Sequence, residues 1–268
     1  MRSARGHLRL GGFRRPARPA ARKIDHPTLE AALRRRRAAG EWVGLGLGYF
    51  VEKSGLGPFD DVVLSIDADG AVELVTGVAS IGQGVETALA QICEATLDIP
   101  YDRMTVVHGQ TDRIARGMGA FASRVTVMTG SAATLAARDL RARLLAKASE
   151  MLQAPSADLT IAAGQIRRAG DALGPSVPIG AVAAACALED GTPRLSAAAT
   201  FETHHMTYPY GIHLAVVRVD PETYGVAVER FVVAYDIGCA VNPMLIEGPD
   251  RGRRGPRHRR RAARGIRL

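Results

Sequence analysis

Long apolar runs are missing from this chain of 268 residues. No stretch of about 18 consecutive apolar residues occurs, which excludes a plain membrane-spanning helix and leads us to expect no membrane span. The Arg-rich start lacks the continuous apolar segment of a secretory signal, so export by that route is not expected. Cysteine is scarce: Cys93, Cys186 and Cys239 lie far apart and form no CxxC pair. That argues against a zinc knuckle or a disulfide framework and fits a reducing, cytoplasmic setting. Several nucleotide and hydrolase signatures are also absent. No GK[ST] occurs, no GxSxG elbow occurs, and GLGLGYFVE (Gly44–Glu52) is not a GxGxxG that opens a helix.

Positive charge is lacking from most of the chain, although the net charge is +8. Pro249–Leu268 holds nine Arg and one Asp, and Met1–Ala38 holds twelve basic residues and two acidic ones. The 14 basic and 24 acidic residues that remain make Ala39–Gly248 an acidic body. Blocks of like charge are usually solvated segments and sometimes nucleic-acid arms. Here no aromatic platform interleaves with the arginines, Phe13 standing alone among them, so no nucleic-acid partner is expected. The expected organisation is a basic segment 1–38, out of frame or disordered; a body 39–248; and an Arg-rich tail 249–268, out of frame and disordered.

Within the body, hydrophobic residues make up enough of the composition (47% over the whole chain) for one sizeable core or two small ones. Glu41–Glu52 reads as a Gly-rich strand. Asp61–Ile66 and Ala71–Ser80 alternate with period two around the turn DADG, which predicts a hairpin. Val85, Leu89 and Ile92 recur at helical spacing. DIPYDRMTVVHG reads as a turn and a short buried strand. A Gly-rich loop then leads from about Arg124 into a long Ala/Leu-rich helix, whose Arg138, Arg141, Arg143 and Lys147 form a solvated face. DLTIAAGQIRR predicts a hairpin, IGAVAAACAL a short helix, and the segment to Gly238 at least three strands, with DPETYG as a turn. Hairpins interrupted by helices favour an α+β fold with mixed or antiparallel sheets and packed helices.

Two loops carry the polar interest. SIGQGVETALAQI places Gly82, Gln83 and Gly84 between a strand end and a helix start. Glycine lets a ligand approach the backbone, and Gln83 offers donors and an acceptor beside exposed N–H groups. It is also an ordinary turn. GAFASRVT (Gly119–Thr126) again runs small residues into a helix start, with Ser123, Arg124 and Thr126 as polar handles, although Ser123 is equally an N-cap. The two loops together would meet one anion from two sides. His204 and His205 are adjacent and make no metal pair, and Asp236 reads as an Asx-turn residue.

GVASIGQGVETALAQICEATLDIPYDRMTVVHGQTD, GAFASRVTVMTGSA and HLAVVRVDPETYGVAVERFVVAYDIGCAVNPMLIEG, in that order, resemble the large, molybdopterin-binding subunit of the xanthine dehydrogenase/aldehyde oxidase/carbon monoxide dehydrogenase family. The resemblance runs from about Gly44 to Gly248 and implies part of a larger molybdopterin-binding domain. It implies that Gly82, Gln83 and Gly84 approach the pterin and the molybdenum ligands. It also implies that Ala122, Ser123, Arg124 and Thr126 bond the pterin or its phosphate side. The implied cofactor is molybdopterin, in bacteria its cytosine dinucleotide. The implied reaction puts water-derived oxygen onto an aldehyde, an N-heterocycle or carbon monoxide. Electrons would leave through iron–sulfur and FAD groups on partner subunits of a hetero-oligomer.

The resemblance also exposes departures. The family's upstream glycine-rich loop, its substrate-pocket loop and its C-terminal glutamate base have no counterpart here, so no catalytic residue is assigned. An inactive structural remnant or accessory module is therefore the alternative reading. Where the family continues with a string like QIxGGVAQGIG, this chain has PDRGRRGP. Writing Gln-Ile-Glu-Gly-Gly-Val-Ala-Gln as CAG ATC GAG GGC GGC GTG GCC CAG and adding one C in front gives codons for Pro-Asp-Arg-Gly-Arg-Arg-Gly-Pro. The tail is therefore expected to be frame-shifted text, and the chain a fragment.

Overall fold

The computed structural model describes residues 25–246. The Arg-rich tail 249–268, with its out-of-frame reading, and residues 1–24 lie outside the described residues. The elements in chain order are α1 (His26–Ala38), β1 (Trp42–Val51), β2 (Phe59–Ile66), β3 (Val72–Thr76), α2 (Val85–Leu97) and β4 (Met104–His108). A π-helical turn at Val125–Thr129 then leads into α3 (Gly130–Leu152). After it come β5 (Leu159–Ala162), β6 (Gln165–Arg168), β7 (Ser176–Pro178), α4 (Ile179–Glu189), β8 (Leu195–Glu202), β9 (Tyr210–Val219) and β10 (Val226–Asp236). Helices and mixed sheets make this the α+β class that the pattern predicts.

The chain divides into two units, one formed by residues up to Glu52 and from Tyr208 onward, the other by Lys53–Thr207. The first unit is an antiparallel sheet in the order β1-β9-β10. Period two puts Val43 and Leu45 on one face of β1, where they meet Leu33 of α1 and Leu214, Val216 and Val232. Residues 26–38, grouped by charge with the basic N-terminal segment, thus form an ordered helix. Arg36 fastens that helix by donating to Glu229 on β10 at 2.6 Å and to Glu41 at 2.6 Å.

The second unit holds a four-stranded sheet, β4-β3-β2-β8. Its β2–β3 and β2–β8 pairs are antiparallel, whereas β3 and β4 are parallel and joined through α2, a β-α-β connection. Val62, Leu64 and Ile66 share a core with Leu89 and Cys93 of α2 and with Ala133, Ala136, Ala137, Leu140 and Leu144 of α3. The alanines let α3 lie close to the sheet. A hairpin extended by a third strand, β5-β6-β7, and α4 complete the unit. The predicted hairpins and helices are all present. One difference is β4, expected to be buried: it is the edge strand, so its residues are half-buried at most. Of the cations on α3, expected as a solvated face, Arg138 is exposed while Arg141, Arg143 and Lys147 are half-buried, and two of these tie down α4. Arg143 pairs with Asp190, and Lys147 with Glu189.

Candidate functional site: two loops at one end of a parallel strand pair

Strands β3 and β4 end side by side, with Thr76 opposite His108. From each carboxyl end a loop leaves and opens a helix, which is where ligands bind in α/β sheets. The helices run in the same direction, because Ile92 lies against Gly130 and Thr96 accepts a hydrogen bond from Arg141 at 3.4 Å further along both. Their N-termini therefore sit at the same end of the sheet. The two loops named from sequence are brought together in this way, and both lie in the second unit.

Backbone contact joins them. A Cβ placed on Gly117 would come within 2.2 Å of the Gly77 carbonyl oxygen, and one on Gly77 within 2.3 Å of the Arg116 oxygen. Only hydrogen at Cα permits that approach. The Gly109 N–H adds a hydrogen bond to the Val78 carbonyl at 3.2 Å.

In the first loop Gly82 (φ +89°) and Gly84 (φ +80°) adopt the left-handed conformation. Gln83 Oε1 accepts from the Ile81 N–H at 2.8 Å and so holds its own turn, which leaves its amide nitrogen for other partners. Gly82 and Gln83 are exposed, and Gly84 is half-buried. Past the turn, Glu86 in the first turn of α2 meets His108 Nε2 at 2.8 Å. The Glu86 carboxyl is held below the usual range by its own backbone N–H, by His108 and by Ser80, with burial opposing.

The second loop carries three arginines, and each is engaged by a carboxylate of the sheet. Arg113 pairs with Glu73 at 2.6 Å, Arg116 with Asp61 at 2.8 Å and Arg124 with Asp60 at 3.1 Å. Arg124 is fully buried, and it also donates to the carbonyls of Leu56, Phe59 and Gly119. Its guanidinium points inward, in contrast to the polar handle that composition suggests. Asp60 accepts from the Thr129 hydroxyl as well, and its Oδ1 has no well-formed hydrogen bond among the described residues. Burial pushes the Asp60 carboxyl up, against the Thr129 hydroxyl and the Arg124 charge. Directly before Arg124, both Ala122 (φ +50°) and Ser123 (φ +48°) are left-handed, an uncommon state for residues with a Cβ. Ser123 and Thr126 are exposed and Ala122 is half-buried. A π-helical turn follows, a distortion frequent at functional sites.

Open space borders both loops: a Cβ built on Gly82 or on Gly119 meets nothing within 4 Å. The site thus offers exposed backbone at two helix starts, the Gln83 amide and two hydroxyls. That suits a flat, hydrogen-bonding ligand with an anionic end. Among the described residues no group of three or more His, Cys, Asp or Glu could hold a metal ion. His204 and His205 lie exposed beyond β8, and Asp236 Oδ1 accepts from the Gly238 N–H at 3.1 Å as an Asx turn.

Residues 20–252 match the molybdopterin cofactor-binding domain family. The chain belongs to that family. It is 36% identical over 220 residues to the 6-hydroxypseudooxynicotine dehydrogenase complex subunit gamma of Paenarthrobacter nicotinovorans, covering 80% of this chain and 28% of the relative. It is 31% identical to the carbon monoxide dehydrogenase large chain of Afipia carboxidovorans, covering 79% of this chain and 28% of that one. Among solved structures, quinoline 2-oxidoreductase from Pseudomonas putida 86 superposes with a TM-score of 0.80 at 30% identity, over 90% of this chain and 33% of that chain. The chain therefore spans less than a third of the relatives it matches. It is a molybdopterin-binding domain of the molybdenum hydroxylase type, similar to large subunits of multi-subunit enzymes. No helix among the described residues is long and apolar enough to cross a membrane.

Sequence reading missed Asp60, Thr129, Glu86 and His108. One signal was present: period two puts Asp60 on the same face as Val62, Leu64 and Ile66, so a carboxylate was due inside the core.

Proposed function

We propose that this domain holds molybdopterin, as its cytosine dinucleotide, across the two loops at the ends of β3 and β4. Gly82, Gln83 and Gly84 border the pterin and the molybdenum ligands. Ala122, Ser123 and Thr126 bond the pterin or phosphate side through backbone N–H groups and hydroxyls. The observation that carries this reading is the open space over Gly82 and Gly119 at two helix starts that face the same way. With the loop arginines engaged internally, phosphate recognition falls to backbone amides.

When bound, the cofactor supplies two-electron oxidation with oxygen derived from water. The protein's part is to orient it and to keep its edge reachable from the loop side. In the assembled enzyme the substrate is an aldehyde, an N-heterocycle or carbon monoxide. Electrons pass to iron–sulfur and FAD groups on partner subunits in the cytoplasm. The buried thiols of Cys93, pushed up to about 12 by burial, and Cys186 are free, in keeping with a reducing compartment.

Purification of the full chain from a bacterial host that makes the dinucleotide cofactor tests this reading. Acid treatment is expected to release about one CMP per chain, and Gly82→Val is expected to abolish it. Release of pterin without CMP would overturn the dinucleotide form, and release of neither would overturn the binding role.

A further inference from the structure

We propose that Asp60, Thr129 and Arg124 form a buried lock that positions the second loop, so that Arg124 acts through the loop backbone instead of touching the ligand. This inference rests on the binding role proposed above. The geometry is specific to one stretch of chain. Arg124 and Asp60 are both fully buried and pair at 3.1 Å. The remaining guanidinium donors reach the carbonyls of Leu56 and Phe59 on one side and of Gly119 on the other. The Gly55 N–H donates to the Ala122 carbonyl at 3.2 Å. Residues 55–60 are thereby stapled to Ala122 and Arg124, and Arg124 in turn ties the loop back on Gly119.

Held between those staples are Ala122 and Ser123, two consecutive left-handed residues that are not glycine. Such a conformation persists only where its surroundings over-determine it, and it is typical of ligand clamps. Thr129 closes the lock from the π-helical turn, where its hydroxyl donates to Asp60 Oδ2. Packing adds to the staple, because a Cβ on Gly57 would sit 3.2 Å from Arg124 Nε and one on Gly55 2.9 Å from Val127. Arg113 and Arg116 pin the earlier part of the loop to Glu73 and Asp61 in the same manner. All three arginines of the second loop are thus engaged by carboxylates of the sheet.

Thr129→Val, which keeps the volume and removes the hydroxyl, tests the lock without leaving a cavity. Thr129→Ser serves as the conservative rescue. Amide hydrogen exchange of the full chain reads the loop, and titration with cytidine 5′-diphosphate reads its recognition. In Thr129→Val, amides of residues 119–124 are expected to exchange about ten times faster or more. Those of β2 and the middle of α3 keep their rates, affinity falls by about tenfold, and Thr129→Ser restores both. Unchanged loop exchange in Thr129→Val would overturn the lock, as would equal acceleration of loop and core. If the wild type ignores cytidine 5′-diphosphate while loop exchange responds as expected, the lock stands and the dinucleotide reading falls.

Discussion

Gly77 and Gly117 let two backbones touch, and that contact is what holds the loops as a pair. Gly117→Ala forces a methyl to within 2.2 Å of the Gly77 oxygen. The expected cost is about 1–3 kcal/mol or more, with faster exchange in both loops, measured by urea unfolding and hydrogen exchange. Asp60→Ala is expected to cost more, about 3–5 kcal/mol by urea unfolding, because it leaves the Arg124 charge buried without its partner. At this scale the sequence was informative about residue type and poor about direction. The turn at Gly82 and Gly84 was legible because left-handed backbone favours glycine. The direction of Arg124 was not legible, because the carboxylate it pairs with is brought to it only by folding. Asp60 lies 64 residues away in the chain, and only folding brings it there.

Among the elements, hairpins and helices followed from local periodicity, and β2–β3, β5–β6 and α2 appear where the pattern puts them. The parallel pairing of β3 with β4 did not follow, because it depends on a crossover through α2. That pairing is what sets the two loops side by side. Helix α1 of the first unit gives a pH prediction. Arg36 holds the Glu229 carboxyl below its ordinary range, chiefly through hydrogen bonding. Its contribution is therefore fully present above the unfolded glutamate pKa, about 4.3, and is lost as pH falls through the lower folded value. The pair is partly exposed, so the loss is about 0.5–1 kcal/mol after solvent screening. Thermal unfolding across about pH 3–7 is expected to show this loss in the wild type, and Glu229→Gln is expected to remove that component. An unchanged pH profile in Glu229→Gln would show that the bridge does not anchor α1.

At the scale of the molecule, residues 20–252 match the molybdopterin-binding domain family, and the chain spans 28% of its carbon monoxide dehydrogenase relative. Two compact units follow from its strand order, and the site lies wholly within Lys53–Thr207. The family was legible in the order of three motifs, and the acidic body between basic ends was legible from charge alone. Division into two units was not, because β1 pairs with β9, from Val51↔Tyr210 to Trp42↔Val219, a non-local choice that period two cannot specify. Molybdenum and pterin content of the full chain, purified from a host that makes the cofactor, tests the central claim most directly. About one molybdenum and one pterin per chain, lost together when Gly82 and Gly119 are both changed to valine, is the predicted result. Metal and pterin at background in a folded wild-type chain would contradict it.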